Sequence, residues 1–156
     1  MSSVFLDTDV ILDVLAKREP FYGHSARILT LIDERGLTGC TSSLIFTDLF
    51  YILRKRASSK DTRGNLRKLY ILLTVLAVDE RIIDLALSSE FSVFQDAVQY
   101  FTAKQHGVPF LITRNIQNYK AAEKGRMIIC SPTDFLDLWQ ARMGVQNHTG
   151  QSYPKG

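Results

Sequence analysis

The chain alternates short apolar blocks with longer amphipathic stretches. Val4, Phe5 and Leu6 are consecutive apolar residues, the pattern of a strand covered on both faces. A helical stretch follows to about Lys17 and breaks at Pro20. "GHSARILTLIDERG" has apolar residues at helical spacing and Gly36 as its stop signal. "LTGCTS" reads as a second strand, and "SSLIFTDLFYILRKR" as a long helix capped by Ser42 or Ser43. "TRGNLRKLYILLTVL" reads as another helix, "AVDE" as a strand end and "RIIDLALSS" as a short helix.

The second half repeats the alternation. "FQDAVQYFTAKQHG" is a helix closed by Gly107, "PFLIT" a strand, "NIQNYKAAEKG" a loop with a short helix, and "MIICS" a last strand. "SPTDFLDLWQARM" is a final helix with Pro132 just inside its start. Residues 144–156 are polar and without periodicity, so they are expected to form a disordered tail after one domain over 1–143. Strands separated by helices predict an α/β domain with a mainly parallel sheet. Sites in such sheets form outside the carboxyl ends of the strands.

Composition changes this picture little. The 156 residues are 46% hydrophobic and 22% charged, as in ordinary globular domains. No apolar run approaches the roughly 18 residues that span a bilayer. The start lacks the basic-then-apolar pattern of a secretory signal, so no membrane partner and a cytoplasmic location are expected. Cys40 and Cys130 lack metal-type spacing and read as small buried residues, and His24, His106 and His148 are scattered. The net charge is only +3, yet "RKRASSKDTRGNLRK" from Arg54 to Lys68 holds a single acid, Asp61. That density favours a phosphate backbone or an acidic partner, and fits a solvated helical surface equally well.

The acids carry the chemistry. Asp7 follows the first strand, where an N-cap role explains it as well as a functional one. Asp9 and Asp13 share a helical face; Asp13 reads as a solvated helix residue and Asp9 as a group supporting a neighbouring site. Asp48 stands inside "LIFTDLFYIL", a helix apolar on nearly every side, where a carboxylate requires a cation, a metal or several donors. Asp96 opens a helix, where it also complements the dipole. Three carboxylates at one cleft repel each other, and a hard dication such as Mg²⁺ or Mn²⁺ removes the conflict. No phosphate-cradling glycine loop is present.

Taken in order, "VFLDTDVILDVL", "TDLFYILRK", "FQDAVQYFTAKQHG" and "FLITRNIQNYK" resemble the signature segments of PIN domains, nearest to the VapC-type ribonuclease toxins. The resemblance runs over about residues 4–138 and implies a three-layer α/β/α sandwich. It further implies a metal-dependent endoribonuclease that hydrolyses RNA phosphodiesters with Mg²⁺ or Mn²⁺ as cofactor. By the same resemblance the pocket acids are Asp7, Asp48 and Asp96, with Asn115 at a fourth corner. Asp9, Thr113, Arg114 and Asn118 are supporting or phosphate-contacting positions. Many relatives carry aspartate at the Asn115 or Asn118 position, whereas both are amides here. The family further implies a small antitoxin partner and a homodimer; Phe21 and Tyr22 in the early helices are candidate contacts and fit an ordinary core role equally well. Two other readings stay open: a weak or inactive PIN-like module that binds RNA or protein, and a receiver-like domain phosphorylated on aspartate. The second lacks the lysine expected at a strand end.

Overall fold

The computed structural model describes residues 2–149. Five strands, β1 (Ser3–Leu6), β2 (Thr38–Ser42), β3 (Thr74–Leu76), β4 (Phe110–Ile112) and β5 (Ile128–Cys130), form one sheet in the order β3-β2-β1-β4-β5. Every pairing is parallel. The helices among the described residues are α1 (Thr8–Leu15), α2 (Tyr22–Asp33), α3 (Ser43–Arg54), α4 (Ser59–Leu72), α5 (Glu80–Leu87), α6 (Phe94–Gln105) and α7 (Pro132–Thr149), with a 3₁₀ turn over Ile116–Tyr119.

This is the expected three-layer sandwich. β1 is the centre of the sheet, so Val4, Phe5 and Leu6 are fully buried. Right-handed crossovers send the connections β1 to β2 and β2 to β3 across one face, and the return to β4 across the other. Helix neighbours agree: α1 packs on α2 and α3, α2 on α7, and α5 on α6. Gly39 in β2 permits the closest packing, since a Cβ there would lie 2.5 Å from Ile32 Cδ1 and 2.7 Å from Leu73 Cδ2.

Three helices end in the same way. The residue after the cap turns left-handed and two backbone N–H groups fold back onto the last turn. Gly107 (φ 69°) closes α6 as expected. At the end of α2 the left-handed residue is Arg35 (φ 63°), while Gly36 takes the following place and donates to Leu31 O at 2.9 Å. Lys17 (φ 48°) closes α1, and Arg18 N donates to Asp13 O at 2.9 Å, which fixes the backbone of Arg18.

Several expectations need correction. "TVL" is strand β3, because Thr74, Val75 and Leu76 pair with Cys40, Thr41 and Ser42; the strand expected at "AVDE" comes earlier. α3 is not apolar-packed all round, since Leu44 is 40% and Tyr51 68% exposed. α7 continues to Thr149 rather than stopping near Met143, and residues 150–156 of the expected tail lie outside the described residues. Among the described residues no helix is long and apolar enough to cross a membrane.

Candidate active site

The sheet order reverses direction between β1 and β4, and a crevice opens at their carboxyl ends. Asp7 leaves β1 there, its backbone N–H donating to Ile112 O at 3.0 Å. The Asp7 side chain is the N-cap of α1: Oδ1 accepts from Thr8 N at 2.7 Å. Its Oδ2 accepts from Thr113 Oγ1 at 2.9 Å and from the Tyr119 hydroxyl at 2.7 Å. Asp7 is therefore held from three sides while 4% exposed. Burial pushes its pKa up, and the hydrogen bonds from Tyr119, Thr8 and Thr113 oppose that shift.

A cavity of about 420 Å³ lies over this point and is lined by Asp7, Asp9, Asp48, Asp96, Asn115 and Asn118. The carboxylates come from α1, α3 and α6, far apart in sequence. Burial and then the charge of Asp7 push Asp9 up to about 6, and the same two causes in the same order push Asp96 up to about 6. Asp48 is raised by burial and has no ion pair or hydrogen bond among the described residues. Asn118 Nδ2 donates to Asp96 Oδ2 at 2.9 Å, so the amide at this corner acts as a donor to an acid. The upward shifts come first from burial and, at Asp9 and Asp96, also from the neighbouring charge of Asp7.

The donors fit a hard cation in kind: all are oxygens from carboxylates and amides. They are not a closed cage. Among the described residues no three His, Cys, Asp or Glu side chains stand close enough to enclose an ion. Such a lining suits an ion that keeps several of its waters.

Two sequence-derived expectations change. Asp13 is fully buried rather than solvated, and Arg114 Nη2 donates to its Oδ1 at 3.1 Å while Nε donates to Oδ2. Arg114 is therefore the counter-ion of Asp13 and not a free phosphate contact. Its guanidinium also lies 3.8 Å from the centre of the Phe21 ring. Only the Arg114 backbone serves the acidic side, its N–H donating to Asp9 Oδ2 at 2.9 Å. Thr113 sits behind Asp7 and also reaches Asp9 Oδ2 at 3.4 Å.

Three residues, two lining the cavity and one behind Asp7, carry no sequence signal. Tyr119 is 3% exposed and holds Asp7; its hydroxyl is kept protonated by burial and by the surrounding carboxylates. Gln99 lines the cavity one turn after Asp96, is 1% exposed, and its Oε1 has no hydrogen-bond partner. Arg18 is the one basic side chain among the described residues lining the cavity. A larger cavity of about 720 Å³ opens near Val108 and Met127, before β4 and β5, and gathers mixed charge rather than acids.

A family model described as "PIN domain" matches residues 3–117. The chain is 21% identical over 141 residues to Ribonuclease VapC1 of Aquifex aeolicus, covering 87% of this chain and 94% of that protein. Its fold matches VapBC2 of Rickettsia felis, solved on a DNA fragment from its promoter, with TM-score 0.60 and 15% identity over 83% of this chain and 98% of that one. It also matches VapC20 of Mycobacterium tuberculosis, described as a sarcin–ricin loop cleaving toxin, with TM-score 0.56 and 15% identity over 69% and 86%. Sheet order, the reversal at β1 and β4, and the family match agree: the chain belongs to the PIN domain family.

Proposed function

We propose that the protein is a metal-dependent endoribonuclease, the toxin of a toxin–antitoxin pair. The observation that carries this reading is the acidic cavity: four aspartates, two pushed up to about 6, line one opening at the carboxyl ends of β1 and β4. A structural cluster would neutralise such charge internally, as Arg114 neutralises Asp13 one turn away.

Asp7, Asp48 and Asp96 would hold Mg²⁺ or Mn²⁺ in part through waters that the ion retains, and the ion would supply Lewis-acid stabilisation of charge developing on an RNA phosphodiester. Tyr119 and Thr113 orient Asp7 from behind, as partners of metal ligands commonly do. Asn115 and Asn118 keep oxygens at the fourth corner without adding charge, which favours one ion over two. The relatives solved as toxin–antitoxin complexes support an antitoxin partner; the antitoxin segment over this cavity and the homodimer belong to the proposal itself. Phe21, 39% exposed, remains the contact candidate.

The test is cleavage of structured RNAs in Mg²⁺ or Mn²⁺ by wild type and by the Asp7→Asn, Asp96→Asn double variant. Wild type should cut and the double variant should not; equal cleavage rejects the reading. The amide at Asn118 favours one alternative, a PIN module that binds RNA without cutting it. That reading predicts wild-type binding without any metal-dependent product.

A further inference from the structure

Two side chains that line the acidic cavity are neither acids nor amides and stand out into solvent: Tyr51 and Arg18. Tyr51 is 68% exposed at the rim of this cavity, so its ring is open to a ligand. It follows Asp48 by three residues on α3, so the two share a helix face, and Lys55 continues that face. The Lys55 ammonium lies 4.8 Å from the centre of the Tyr51 ring. Arg54, Lys55 and Arg56 at the end of α3 are exposed, as are Lys60 and Arg63 on α4, the helix that packs against α3.

Arg18 approaches from the loop after α1. Its backbone is fixed by the helix closure at Lys17 and by Phe21 N and Tyr22 N, which donate to Arg18 O at 3.1 and 2.8 Å. Its guanidinium makes no ion pair among the described residues although four aspartates line the same opening. An arginine so placed and left unpaired is available to an anion from outside.

We propose that Tyr51 is a stacking platform for an unpaired nucleobase next to the scissile phosphate, and that Arg18 grips a neighbouring phosphate. The inference rests on the ribonuclease reading and adds to it the residues that select single-stranded over paired RNA. An exposed ring flanked by a cation is the arrangement with which single strands are bound: the ring accepts any base face, and the cation meets the adjoining phosphate. A base inside a duplex is already stacked and gains nothing from the ring. The acids beside Tyr51 repel a phosphate backbone in the absence of a dication, so the ring and the exposed basic side chains are the groups that hold the strand.

The experiment is fluorescence anisotropy with a fluorescein-labelled single-stranded RNA in Ca²⁺, beside cleavage kinetics in Mn²⁺. Wild type, Tyr51→Ala, Tyr51→Phe and Arg18→Gln are compared, with circular dichroism confirming the fold of each. Tyr51→Ala should weaken single-strand binding about tenfold or more and leave duplex binding unchanged, while Tyr51→Phe stays near wild type. Arg18→Gln should reduce the salt dependence of binding by about one phosphate contact. Tyr51→Ala binding and cutting single strands like wild type overturns the inference alone. Loss of antitoxin binding in Tyr51→Ala with RNA binding intact also overturns it, and assigns the ring to the protein partner. A wild type that neither binds nor cuts RNA rejects the ribonuclease reading together with it.

Discussion

Asp9 and Asp13 are one turn apart on α1, and they illustrate two ways of carrying a buried carboxylate. Asp13 is fully buried, receives two hydrogen bonds from Arg114, and shares that guanidinium with the Phe21 ring. Asp9, facing Asp7, receives only backbone and hydroxyl donors and keeps a buried Oδ1 without a partner. The first arrangement is complete in itself. The second, with Asp7, Asp48 and Asp96 around it, is complete only with a positive charge from outside. The contrast teaches that a buried acid marks function when its counter-charge is missing, and structure when it is present.

The largest expected effect lies on the paired side. Arg114→Ala leaves Asp13 buried and uncompensated, and should cost about 3–5 kcal/mol of folding stability, read from urea unfolding. The loss should be the same with or without a dication. On the unpaired side, Asp96→Asn keeps an acceptor for Asn118 and removes a repelled charge. It should unfold no more easily than wild type in chelator, yet lose cleavage by more than the roughly 10- to 100-fold typical of losing a partner behind a metal ligand. Equal destabilisation by Arg114→Ala and Asp96→Asn would erase the distinction between the two sides.

Acidity sharpens the same comparison. Asp9 and Asp96 titrate at about 6 in the fold, above the ordinary carboxylate value near 3.8. The folded state therefore holds these protons more tightly than the unfolded chain does. Their stabilising contribution is present below about pH 4 and lost as pH rises through about 6. Urea midpoints in chelator should fall across that window, Asp96→Asn should flatten the fall, and added Mn²⁺ should offset it at neutral pH. A smaller effect comes from behind the site. Tyr119→Phe removes one donor from Asp7 and should weaken Mn²⁺ binding about 10- to 100-fold in calorimetric titration while the ring keeps its packing.

The fold was largely legible because its strands are short and apolar and its helices amphipathic. Val4 to Leu6 announced a central strand by having no polar face. The position of β3 is not legible because "LYILLTVL" is apolar but for Thr74, and periodicity cannot divide a helix from a buried strand within such a run. Asp48 drew attention as an acid among apolar neighbours, and Asp13 in "VILDVL" carries the same signal. It was read as solvated because its partner, Arg114, lies 101 residues on, a distance no local pattern spans. Tyr119 and Gln99 are illegible for a related reason: no local pattern marks either, and only the tertiary fold brings Tyr119 to Asp7 and Gln99 to the cavity.

The central claim is that the uncompensated acids exist to hold a dication, and calorimetric titration with Mn²⁺ tests it most directly. Wild type should bind Mn²⁺, the Asp7→Asn, Asp96→Asn double variant should not, and Arg114→Lys, which retains a cation opposite Asp13, should bind nearly as well as wild type. A wild type that binds no Mn²⁺, or a double variant that binds it equally, would contradict the account.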